Sequence, residues 1–125
     1  MRAVLALLVF LLASFPAAGQ TLLQRADTAY SAGERDLAQR LYRSVLASDP
    51  DNSRAAFQLA RLLPPGSPEA LALLRRYVKL VPQDPWGNMA LGDALAKAGK
   101  VDEAIGQYRL ARRKEIGRAS CRERV

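Results

Sequence analysis

Histidine is missing from this 125-residue chain, and cysteine occurs once, at Cys121. These absences remove the usual soft ligands of transition metals, so zinc and its relatives have nothing to bind. No loop clusters acidic residues at calcium-site spacing. No metal site and no cofactor are expected. Up to Lys114 the chain cannot form a disulfide, so packing must hold the fold. Catalysis has as little to build on. Without histidine, a serine nucleophile needs a lysine base in a strained turn, and no such pair occurs. The neighbouring carboxylates Asp102 and Glu103 diverge on a helix and read as first-turn charges that oppose the helix dipole. No catalytic residue is expected, and the chain does not read as an enzyme. Aromatic residues are few, and none interleaves with basic residues in the way a nucleic-acid surface requires.

Long hydrophobic runs are also absent, with one exception. Arg2 precedes an unbroken apolar stretch from Ala3 to Ala13, followed by Pro16 and the small residues Ala17, Ala18 and Gly19. This is the pattern of a secretory signal peptide over residues 1–19. The stretch is short for a bilayer, which takes about 20 residues. No cysteine follows it, so no lipid anchor is expected there. The alternative is an uncleaved anchor, in which case the membrane is met only through this segment. Either way the protein is expected to be secreted or periplasmic, in a bacterial cell envelope.

The remainder repeats itself. Three stretches align: "LLQRADTAYSAGERDLAQRLYRSVLASDPDN", "SRAAFQLARLLPPGSPEALALLRRYVKLVPQD" and "PWGNMALGDALAKAGKVDEAIGQYRLARRK". Each holds two helical patterns separated by a break. In the third, Asp84 is an N-cap candidate, Pro85 a preset first helical residue and Gly99 a left-handed stop. Gly33 repeats that stop. Leu91, Ala94 and Leu95, then Ala104, Ile105, Tyr108 and Ala111, recur at helical spacing. Asp102 and Glu103 at the start of the last helix, with Arg112, Arg113 and Lys114 as its last turn, oppose the dipole. Small residues pair where two helices would cross: Ala26 with Ala38, Ala60 with Ala70, Gly92 with Ala104. Tyr42, Leu74 and Tyr108 follow one turn later and are expected to fill the space between hairpins. Pro50 and Pro82 end the second helices. The middle break is two residues shorter than the others: Pro64 disfavours helix at Leu63, Pro65 and Gly66 turn, and Ser67 with Pro68 restarts a helix. That stiff corner is expected to be a tolerated loop deletion; the alternative is a kink that shapes a binding surface.

On these residues the chain resembles the tetratricopeptide repeat family. Leu91, Gly92, Gly99, Ala104 and Tyr108 stand at the family spacing, as do Ala26, Gly33, Ala38, Tyr42 and Pro50, and Leu59, Ala60, Ala70, Leu74 and Pro82. The resemblance implies an all-α fold of helix-turn-helix hairpins stacked as a right-handed α-solenoid, with hairpins at about 20–52, 53–84 and 85–114. It also implies an interaction scaffold whose concave groove, lined by the first helix of each pair, takes a protein or peptide partner. The family's groove positions fall on Leu23, Asp27 and Tyr30, on Arg54, Phe57 and Arg61, and on Trp86, Met89, Asp93 and Lys97. Ordinary packing is the competing role for Phe57 and Met89, and repeat-boundary packing for Trp86. The lysines and asparagines that clamp a chain-terminal carboxylate in some members are not present.

Past Lys114 the helical pattern is expected to dissolve into Gly117, Ser120 and scattered arginines. Back-translated, residues 116–125 permit a nucleotide string that resembles a common short-read sequencing adapter. Residues 115–125 are therefore expected to be non-native, with the native array continuing beyond Lys114. From Gln20 to Lys114 fifteen Lys and Arg face ten Asp and Glu, a net of +5 against +7 for the whole chain. A basic surface attracts anionic partners, though here the charges are interspersed and also read as a solvated face; nucleic acid is not an expected partner. Two roles remain: an exported scaffold binding protein at the envelope, or the leading repeats of a larger machine, such as a polysaccharide-export or outer-membrane barrel protein. An array ending near Lys114 would expose Tyr108 and Leu110 and self-associate through its uncapped last helix.

Overall fold

A computed structural model describes residues 20–123, with side chains to residue 120. The expected signal peptide lies outside the described residues. Six α-helices follow in order: α1 (Leu22–Ser31), α2 (Arg35–Ser48), α3 (Ser53–Leu62), α4 (Pro68–Leu80), α5 (Pro85–Lys97) and α6 (Val101–Glu123). No strand occurs among the described residues. Each helix packs chiefly on its neighbours in sequence, so the chain is a short solenoid of three hairpins, α1/α2, α3/α4 and α5/α6.

Local chemistry sets most helix ends. Thr21 and Gln24 form a reciprocal capping box at the start of α1. Asn52 accepts from the Ala55 amide, Ser67 from the Ala70 amide and Asp84 from the Trp86 amide, with Pro68 and Pro85 as first helical residues. Gly33 and Gly99 have φ of 78° and 79°. At each, the amide one residue further on returns to the last turn, Glu34 to Ala29 and Lys100 to Leu95, which satisfies carbonyls the helix leaves free. Leu63 is extended, with ψ of 160°, as a residue before proline must be.

All six small crossing residues are buried: Ala26, Ala38, Ala60, Ala70, Gly92 and Ala104. A Cβ on Gly92 would stand 2.6 Å from the Tyr108 ring, so the glycine is what lets that ring lie flat on α5. Tyr42 and Leu74 fill the space between hairpins as expected, at 0% and 4% exposure. Tyr108 does not, because no described hairpin follows α6. It stays 37% exposed, and Val101, Ile105 and Leu110 of the same helix are exposed as well.

The end of α6 corrects the sequence reading. The helix does not dissolve after Lys114 but continues to Glu123. Glu115, Ile116, Arg118 and Ala119 all accept helix, and one exposed glycine, Gly117, costs only about 1 kcal/mol relative to alanine. With 23 residues against 13 in α5, α6 overhangs its partner by about 15 Å at the usual rise per residue. Arg112, Arg113 and Lys114 thus stand inside the helix and do not compensate its C-terminal dipole. Lys114 has another use: its ammonium donates to Oδ1 of Asn88, whose amide nitrogen donates to Gln107 Oε1 at 2.8 Å. Asn88 is the one buried polar residue among those described, and these bonds satisfy it.

Candidate functional site

Because α1, α3 and α5 are the first helices of their hairpins, they lie along one side of the stack. An open groove of about 960 Å³ runs between the second and third hairpins on that side. Six residues assigned to a groove from sequence line it: Phe57 and Arg61 from α3, Trp86, Met89, Asp93 and Lys97 from α5. The other four lie elsewhere. Leu23 and Tyr30 are half-buried and pack on the core. Asp27 and Arg54 are bound to each other, Nε to Oδ2 at 3.0 Å, and so tie the first hairpin to the second.

Apolar contact forms the floor. Phe57 tilts against Tyr77 with ring centroids 4.7 Å apart, Met89 is half-buried, and Trp86 leaves 61% of its surface in solvent. The guanidinium of Arg61 lies over two rings, 5.7 Å from the centre of Tyr30 and 5.9 Å from that of Phe57. At the far wall stands the short corner. Leu63 and Pro65 line the groove, and Gly66, at φ 81°, lies so close to the end of α5 that a Cβ would be 2.9 Å from the Ala98 nitrogen. The two-residue deletion is thus part of the groove wall. Its turn chemistry, Pro65 and Gly66 ahead of Ser67 and Pro68, was visible in the sequence; the left-handed backbone of Gly66 and its docking on α5 were not.

Sequence reasoning also missed a repeated pair. Tyr42 donates to Asp27 at 2.7 Å and Tyr108 to Asp93 at 2.6 Å, each across fifteen residues within its hairpin. In the second hairpin the matching positions hold Arg61 and Leu74, so the carboxylate and its hydroxyl donor are replaced together. Tyr77 donates to Asp84, whose other oxygen caps the Trp86 amide. These bonds hold the phenols neutral. Burial, then the Asp27 bond, raises the Tyr42 hydroxyl well above its ordinary range. Burial, then the Asp84 bond, pushes Tyr77 up to about 12. For Tyr108 the Asp93 bond comes first and burial second. Among the described residues no group of three His, Cys, Asp or Glu could hold a metal ion. The groove can bind through apolar contact and charge.

A hairpin solenoid with a groove along its first helices defines a helical-repeat fold, and comparison with known families places it. Two tetratricopeptide repeat models match, over residues 19–62 and 66–119. The chain belongs to the tetratricopeptide repeat family. Among solved structures it is similar to MamA, with TM-score 0.67 and 18% identity over 76% of this chain and 57% of that one. A second MamA structure, AMB-1, gives TM-score 0.71 and 21% identity over 77% of this chain and 54% of that one. An O-GlcNAc transferase mutant of Thermobaculum terrenum gives TM-score 0.65 and 32% identity over 74% of this chain and 18% of that one. The chain therefore spans little more than half of MamA and under a fifth of the transferase. No curated protein matches in sequence.

Proposed function

We propose that this protein is an interaction scaffold that binds a segment of a protein partner in the groove between its second and third hairpins. The observation that carries the reading is the groove itself: an open apolar floor with Trp86 61% exposed at its edge, in a fold otherwise packed through alanine and leucine. A large aromatic held in water by a rigid helix is the kind of anchor that dominates peptide recognition. A photo-crosslinking residue at Met89 should capture a partner in cells, whereas one at Arg40, exposed on α2, should not. Equal capture at both positions, or none at Met89, rejects the groove as the site.

The same scaffold works outside the cytoplasm, in the periplasm or at the envelope. Arg2, the run from Ala3 to Ala13 and the small residues to Gly19 support this. Residues 1–30 fused to an export-dependent phosphatase should give activity; an inactive, stably made fusion rejects export. The chain is also the leading part of a longer array or envelope machine, with native sequence replaced after Lys114. The adapter resemblance of residues 116–125 supports this, as does the apolar outer side of α6, where Val101 and Ile105 are 57% and 41% exposed. Such a face associates with itself when nothing covers it, so sedimentation should show oligomers growing with concentration. A monomer at every concentration rejects that part. Genomic sequence past Lys114 separates further repeats from a barrel's alternating strands.

A further inference from the structure

The charges that line the groove are not equivalent. Its two carboxylates are engaged within the protein, Asp93 with the Tyr108 hydroxyl and Asp84 with the Tyr77 hydroxyl and the Trp86 amide. Its two cations are not. Among the described residues Arg61 and Lys97 form no salt bridge. Lys97 has no hydrogen-bond partner there, and Arg61 reaches only Gln58 Oε1, at 3.4 Å. Both occupy the last turn of their helices, α3 and α5, and so mark one edge of the groove. Asp84 caps the opposite end of α5.

The repeat explains how this edge arises. Where the first and third hairpins carry an aspartate bound to a tyrosine, the second carries Arg61 opposite Leu74, so an anion held internally has been exchanged for a cation held by two aromatic faces and a long bond to Gln58, with no carboxylate. Contact with the Tyr30 and Phe57 faces places the guanidinium at the groove while leaving its Nε and Nη2 donors for a ligand, and a guanidinium matches a carboxylate.

From this charge pattern we infer that Arg61 and Lys97 seat an acidic side chain of the partner segment, with an adjacent apolar residue packed on Phe57, Met89 and Trp86. The inference rests on the groove being the binding site and adds the partner's chemistry: an aspartate or glutamate next to an apolar anchor, within a chain and not at its terminus. Held on an aromatic floor, the carboxylate is partly withdrawn from solvent, where its pairing with Arg61 is stronger than at an open surface.

The test is selection from a random peptide library displayed on phage, each peptide fused at its C-terminal end so that no terminal carboxylate is free. The bait is the chain as it stands, and the comparison is Arg61→Gln/Lys97→Gln, two exposed positions whose change leaves the core untouched. Wild-type selection should enrich Asp or Glu beside an apolar residue. The double variant should weaken those peptides about tenfold, by the loss of two charged contacts, and lose the enrichment in its own selection. Selected peptides without acidic enrichment, or unaffected by the double variant but weakened by Trp86→Ala, overturn the acidic seat and leave the groove standing. Peptides indifferent to both changes, or no peptides at all, overturn the groove reading and this inference with it.

Discussion

Replacing Gly66 by alanine separates two effects that usually travel together, because the molecule supplies its own controls. Gly33, Gly66 and Gly99 all have left-handed backbone, with φ of 78°, 81° and 79°. An L-residue in that region loses about 1–2 kcal/mol through the clash of its Cβ with the backbone, and all three positions carry this loss. Only Gly66 has a neighbour. Its Cβ would meet the Ala98 nitrogen at 2.9 Å, the Lys97 carbonyl carbon at 3.0 Å and the Ala94 oxygen at 3.2 Å, while Gly33 and Gly99 have nothing within 4 Å. These are backbone atoms of a helix end and cannot swing aside as a side chain would. Overpacking of this kind adds about 1–3 kcal/mol. Urea denaturation should thus place Gly33→Ala and Gly99→Ala near each other, with Gly66→Ala lower by about 1–3 kcal/mol at an unchanged slope. Since Leu63 and Pro65 belong to the same corner and line the groove, any ligand of the groove should bind Gly66→Ala more weakly than Gly33→Ala. Equal losses at the three glycines would refute the docking of the corner on α5.

Two further outcomes follow from the tyrosines. Tyr42→Phe takes the hydroxyl from Asp27 in a buried setting and should cost about 1–3 kcal/mol. Tyr108→Phe, on the exposed Asp93, should stay within about 0.5 kcal/mol because water replaces the donor; urea midpoints decide, and equal losses would count against the difference in burial. Alkaline pH reports the same bonds. The Tyr77 hydroxyl titrates near 10 when unfolded and is pushed up to about 12 in the fold, so its proton is held more tightly in the folded state. Its contribution to stability is complete below about pH 10 and lost as pH rises toward about 12. Tyr77→Phe should flatten that fall in a urea series against pH, and an unchanged slope would remove Tyr77 as its cause.

Hairpin, break and hairpin could be read from the chain because most helix ends have a local chemical reason. Asp84, Ser67 and the prolines start helices, Gly33 and Gly99 stop them, and each acts within a few residues of itself. The alanines and Gly92 at the crossings were legible for a related reason, since close helix packing requires small side chains at fixed spacing. Where locality failed, so did the reading. Gly117, Ser120 and the scattered arginines read as the end of the helix, yet α6 runs on to Glu123, because one exposed glycine is weaker than the helix around it. The groove positions split for a different reason. Asp27 and Arg54 share a register with Asp93 and Trp86, but lie opposite each other across two hairpins and neutralise one another.

What the sequence determined by itself is therefore the unit and its count. Caps, stops and small-residue spacing specify three helix pairs whatever surrounds them, because those interactions close within a turn or two. The tertiary structure decided which charges remain available. Asp27 pairs with Arg54 across twenty-seven residues, Asp93 and Asp84 are engaged by tyrosines, and the shortened corner docks on the end of α5. Arg61 and Lys97 are left facing the groove because pairing depends on how neighbouring hairpins stack, and stacking brings together residues that no local pattern connects.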